Sequence, residues 1–169
     1  MDVTFTKTGK KQNWINVTKS DGSKDSFPWP EHPGLPHDAI HLVVEQVFRL
    51  RNGFWGLFAQ GVDLMTLNKA VDRARTGIKV KDLAGRDTTE LYQAEALVAC
   101  FGNEMLWSGP KVPQERRETL AEGCEKWGVP FPARYNDHDA GKADAELGEL
   151  LVQWNQLRAG ESLTVVFGA

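Results

Sequence analysis

The chain has 169 residues, 41% of them hydrophobic and 25% charged. That is enough apolar material for one real core without disulfides or metals as staples, and it excludes disordered and fibrous classes. The formal net charge of −3 argues against a general nucleic-acid binder, and no apolar run approaches the roughly 20 residues that span a bilayer.

The start, Met1-Asp2-Val3-Thr4-Phe5-Thr6, lacks the apolar stretch of a secretory signal. The expectation is a cytoplasmic protein with Cys100 and Cys124 both reduced. Charge is uneven along the chain. Residues 62–86 hold six basic side chains against three acidic ones, and residues 87–169 hold seven against fourteen. The basic stretch, which includes Lys69, Arg73, Arg75, Lys79, Lys81 and Arg86, reads as a solvated helix face followed by a polar loop.

Val3 and Phe5 alternate with Thr4 and Thr6, the period of a half-buried strand. Residues 11–19 alternate again, with Ile15 and Val17 on one face and Trp14, Asn16 and Thr18 on the other. Asp21-Gly22 predicts a hairpin turn with both residues at positive φ. A third short strand near Ser26-Phe27 is expected to stop at Pro28 and Pro30, which cannot donate to a ladder. Pro28, Pro30, Pro33 and Pro36 together read as a stiff connector within one domain.

The first helix is expected from about Pro36 to Leu50, with Ile40, Val43, Val44 and Val47 as its apolar stripe and Asn52-Gly53 as a left-handed stop. Phe54–Ala59 is apolar on all sides and reads as a short buried helix ending near Gly61. A third helix starts at Asp63 and shows Leu64, Leu67, Val71 and Ala74. Asp87-Thr88-Thr89-Glu90 resembles a capping box opening a fourth, which continues through Leu91, Ala94, Val98, Phe101 and Met105. The fifth begins at Pro113 and buries Leu120, Cys124 and Trp127. The sixth runs from about Asp137 to Arg158 with Ala143, Leu147, Leu150, Trp154 and Leu157, and Gly160 ends it.

Ser162–Phe167 then alternates as a strand, whose backbone groups need partners that only the N-terminal sheet can supply. The expected architecture is α+β and a single domain over residues 1–169. It comprises a meander at 1–29, a helical region at 36–159 and a closing strand at 161–168.

One segment can carry chemistry. His37-Asp38-Ala39-Ile40-His41 places two histidines at i and i+4, one turn apart on one face of the predicted helix, where both imidazoles can reach one metal ion. In H-E-x-x-H metalloproteases the intervening glutamate acts as general base on a zinc-bound water. Here the acid is Asp38, shorter by a methylene. A zinc site also needs a third protein ligand. Glu45 is the nearest candidate, yet His37 and Glu45 are about 12 Å apart along the axis at 1.5 Å per residue. Either His37 with His41, or His41 with Glu45, fits one ion more easily than all three. His32, His138, Asp137 and Asp139 are further donors.

The same segment, Leu35-Pro36-His37-Asp38 with His41, Val44 and Glu45, followed by Gly53-Phe54-Trp55-Gly56, resembles a set of small bacterial proteins of uncharacterised function. The likeness covers about the first third of the chain and its closing strand. It implies a shared fold and carries no activity.

No dinucleotide, Walker-type or nucleophile-elbow motif occurs. Glu90, Glu104 and Glu118 read as solvent-facing carboxylates, and the cysteines as inert core residues. Of six tryptophans, Trp14 and Trp29 could line a shallow face of the sheet and meet a protein partner. The preferred functional reading is a non-enzymatic binding or regulatory domain without cofactor, in which His37 and His41 are structural. The alternative is a divalent-metal protein, or a zinc-dependent hydrolase with His37, His41 and Glu45 at the metal and Asp38 in catalysis.

Overall fold

The computed structural model describes residues 1–31, 33–76, 83, 85–102 and 112–168, apart from the side chain of Arg75. The expectations for His32, Lys79, Lys81, Glu104 and Met105 lie outside those residues.

The period-two residues build one sheet. Strands β1 (Asp2–Thr6), β2 (Gln12–Thr18) and β3 (Lys24–Pro30) form a meander, and β4 (Ser162–Val166) returns beside β1. The order across the sheet is β3-β2-β1-β4, every pair antiparallel. Val3, Phe5, Ile15, Val17 and Leu163 all lie on the buried face. The other face is exposed, with Trp14 and Val166 among polar residues, and across it Thr4 meets Thr164 and Thr6 meets Ser162 through hydroxyl hydrogen bonds of 2.8 and 2.9 Å.

Two sequence expectations for the sheet are corrected. In the β2–β3 hairpin only Gly22, and not Asp21, takes positive φ, +82°. The loop is three residues long, closed by Lys19 N–H on the Ser23 carbonyl, which is the turn-plus-glycine form of hairpin. And β3 does not stop at its prolines. It is an edge strand, and the N–H of Glu31 donates to Lys11. Odd-numbered residues therefore face β2, while positions 28 and 30 face the open edge, where a missing N–H costs nothing. This register turns Trp29 inward, 6.0 Å from the Trp154 ring, so only Trp14 of the two stays exposed on the sheet.

Six helices fill the middle of the chain among the described residues, making the fold α+β: α1 (His37–Val47), α2 (Phe54–Ala59), α3 (Leu64–Arg75), α4 (Thr89–Phe101), α5 (Pro113–Trp127) and α6 (Asp137–Gln156). Asp63 and Asn136 cap α3 and α6 by accepting the N–H of Thr66 and Asp139. At α4 the expected capping box is absent. Asp87 accepts from Thr89, and the Glu90 carboxylate turns outward to the N–H of Asn52 at 2.7 Å.

The stop of α1 also differs from expectation. Arg49, not Asn52-Gly53, takes the left-handed conformation, with φ +56°. The N–H of Leu50 reaches the Glu45 carbonyl and that of Arg49 reaches Gln46, the paired bonds of a Schellman motif.

Helices α4 and α5 approach closely at Gly123, where an added Cβ would stand 3.3 Å from the Ala96 methyl. Cys100 and Cys124 are buried free thiols on these two helices. Trp127 is half-buried, stacked on Tyr92 at 5.7 Å. No described helix is long and apolar enough to cross a membrane.

Phe5 is fully buried in a central strand. Phe5→Ala is expected to cost about 3–5 kcal/mol by chemical denaturation. A loss under about 1 kcal/mol would show that the sheet does not close the core.

Candidate metal centre

The i, i+4 spacing does bring the histidines together. The Nε2 atoms of His37 and His41 stand 3.2 Å apart. Their rings meet edge to face at 4.9 Å. His37 is exposed at the rim, whereas His41 is only 1% exposed. The third group is neither of the nearby acids. Glu95, from α4, brings Oε1 to 3.4 Å from His41 Nε2 and is itself buried. One donor atom each from His37, His41 and Glu95 lies within 4.8 Å of the others.

Glu45 sits on the opposite side of the His41 ring. Its Oε1 is 3.1 Å from Nδ1, and its Oε2 accepts the N–H groups of Trp55 (3.0 Å) and Gly56 (3.2 Å). A carboxylate at Nδ1 keeps a proton on that nitrogen, so that Nε2, which faces His37 and Glu95, is the nitrogen left to bind an ion once its own proton is lost. The same carboxylate caps α2 from a distance, since Gly53 at the start of that helix has no side chain to do so.

The two glycines of the Gly53-Phe54-Trp55-Gly56 stretch are explained by close approach. A Cβ on Gly53 would stand 2.5 Å from the Glu45 carboxylate, and one on Gly56 would collide with the Arg51 carbonyl. Trp55 adds a second tie, its Nε1–H donating to the Asp38 carbonyl at 2.8 Å. The Phe54 ring lies 5.6 Å from His41 and walls the site on its apolar side.

Burial opposes charging of His41. The hydrogen bonds and negative charges of Glu45 and Glu95 outweigh it and push the imidazole up to about 10. Burial pushes the Glu45 carboxyl up as well, opposed by His41 and by the N–H groups of Gly56 and Trp55. Two buried carboxyl groups thus flank one buried imidazole.

The donor spacing fits a metal. With metal–nitrogen bonds of about 2.0–2.1 Å, tetrahedral geometry separates neighbouring donors by about 3.3 Å. The two edges through His41 measure 3.2 and 3.4 Å.

The other sequence candidates are placed elsewhere. Glu45 lies on the Nδ1 side of His41, away from the three converging donor atoms. The Asp38 carboxylate is not among the three converging donors. Asp137 pairs with Arg117, Asp139 closes the α6 cap with Asn136, and His138 is exposed on α6. Glu118 is exposed and accepts from Gln114. Glu95 was missed because its approach to His41 depends on how α4 packs on α1. The available signal was a lone acid in an otherwise apolar run, Leu91-Tyr92-Gln93-Ala94-Glu95-Ala96-Leu97-Val98.

Gly53→Ala forces the Glu45 carboxylate to move and is expected to destabilise the protein by about 1–3 kcal/mol, the usual range for overpacking. The check is urea denaturation; an unchanged midpoint would mean that Glu45 is not held against this glycine.

No protein-family model, curated protein or solved structure matches this chain.

Proposed function

We propose that this protein binds a divalent transition-metal ion through His37 Nε2, His41 Nε2 and a Glu95 carboxylate oxygen. The observation that carries the reading is the meeting of one buried, carboxylate-oriented imidazole with a second imidazole and a second carboxylate at donor–donor spacing. Two histidines and one carboxylate suit zinc, and also iron(II) or manganese(II). A structural zinc site closes with four protein ligands, whereas three protein ligands leave a position for water or substrate. With His37 exposed at the rim, the open side faces solvent. An ion held so would act as a Lewis acid and lower the pKa of a bound water, the first step of hydrolytic chemistry. Asp38 and Glu45 are not needed for that step: Glu45 serves by positioning His41.

A purely structural role for the pair, as in a non-enzymatic binding domain, is the rival. It is favoured by the completeness of the His41–Glu45–Trp55 bonding on the Nδ1 side.

The two separate on metal content. Untagged protein loaded with zinc, dialysed and measured by plasma mass spectrometry is expected to hold about one ion per chain. Glu95→Ala and His37→Ala are expected to lose it while staying folded, and His138→Ala to keep it. Glu45→Gln keeps all three donors but disturbs the orientation, so metal affinity is expected to fall roughly 10–100-fold. Absence of stoichiometric metal after loading with zinc, iron(II) or manganese(II), or equal retention by Glu95→Ala, would sink the proposal.

A further inference from the structure

We propose that a hollow at the C-terminal end of α1 binds a phosphate dianion, free or carried by a small molecule, independently of the metal centre. The hollow has a volume of about 140 Å³ and is lined by three arginines, Arg49, Arg51 and Arg134, together with Gln46. Arg49 and Arg51 come from the turn after α1, and Arg134 from the segment before α6.

Among the described residues, side-chain carboxylates do not neutralise this cluster. Arg49 has Asp139 at 3.8 Å, but its side chain is 64% exposed, and such surface pairs are weak. Arg134 spends one N–H on the Arg49 carbonyl at 3.0 Å and keeps the rest of its fork. The Arg51 side chain makes no hydrogen bond or ion pair among the described residues. Glu45 also borders the hollow, but its two oxygens are engaged by His41 and by the N–H groups of Trp55 and Gly56. Gln46 uses its Oε1 on the Gly168 N–H, so its amide –NH2 remains a donor. Planar guanidinium forks match the oxygens of a phosphate bidentately, and three of them around one hollow favour a dianion over a carboxylate.

Arg49 supplies a second observation. It is the one non-glycine with positive φ among the described residues. Glycine would hold that conformation more cheaply. Arg49 lines the hollow, and a guanidinium at this position supplies a charge there that glycine lacks.

The test is isothermal titration of the metal-free protein with inorganic phosphate, glycerol 3-phosphate and acetate at matched ionic strength, since unmatched salt screens all three alike. Saturable one-site phosphate binding is expected, at least tenfold tighter than acetate. Tighter glycerol 3-phosphate would assign the site to a phosphate ester, and equal affinity to the phosphate group alone. Arg51→Gln and Arg134→Gln are each expected to weaken phosphate at least tenfold. Arg49→Gly is expected to weaken it while raising the melting temperature, a pair of effects that a merely structural arginine would not produce. His37→Ala should leave phosphate affinity unchanged. The proposal is overturned if phosphate binds no better than acetate, if both Arg51→Gln and Arg134→Gln retain full affinity, or if His37→Ala abolishes binding, which would place the anion at the metal centre instead.

Discussion

The buried carboxylate of Glu45 is the constraint from which the site follows. It has one oxygen for the imidazole of its own helix and one for the first amides of α2. A buried acid with fewer partners would be costly, and a short helix with a glycine at its start would lack a cap. Each need answers the other. The direction of α2, the orientation of His41 and the absence of side chains at Gly53 and Gly56 are parts of one arrangement. Trp55 tightens it by tying its indole back to the first turn of α1.

Helix α4 supplies the rest. Glu90 in its first turn holds the N–H of Asn52, in the loop between α1 and α2, and Glu95 reaches His41. Two acids on one helix thus fix the loop and complete the donor set. The chemistry at the rim and the packing of three helices are therefore coupled: a shift of α4 relative to α1 would change the His41–Glu95 distance and the anchoring of the loop together.

How far these features were legible in the sequence depended on the range of the interaction. Period-two alternation located β1, β2 and β4, the Asp21-Gly22 turn pointed to β3, and helical spacing located the longer helices and the His37–His41 contact, because these are set by neighbours along the chain. Glu45 was seen as a partner of His41 for the same reason, though its second set of bonds needed the position of Trp55 and Gly56. Glu95 was invisible as a partner of His41, since nothing local connects residues 41 and 95. The prolines of β3 misled because their cost depends on which strand is at the edge. Asn52-Gly53 looked like the better stop for α1, but Gly53 is required elsewhere, beneath the Glu45 carboxylate, and the left-handed position fell to Arg49.

The pairing of β1 with β4 has a consequence for biogenesis. Thr4 and Thr164 are partners across 160 residues of chain. As the chain leaves the ribosome, β1 can pair with β2 on one side while its other edge stays bare until residue 166 has emerged. Contacts of such long range form slowly, and a bare strand edge recruits other chains in the meantime. Completion of the sheet is thus a late event in synthesis, and until then the unpaired edge of β1 is the part of the sheet most open to association with other chains.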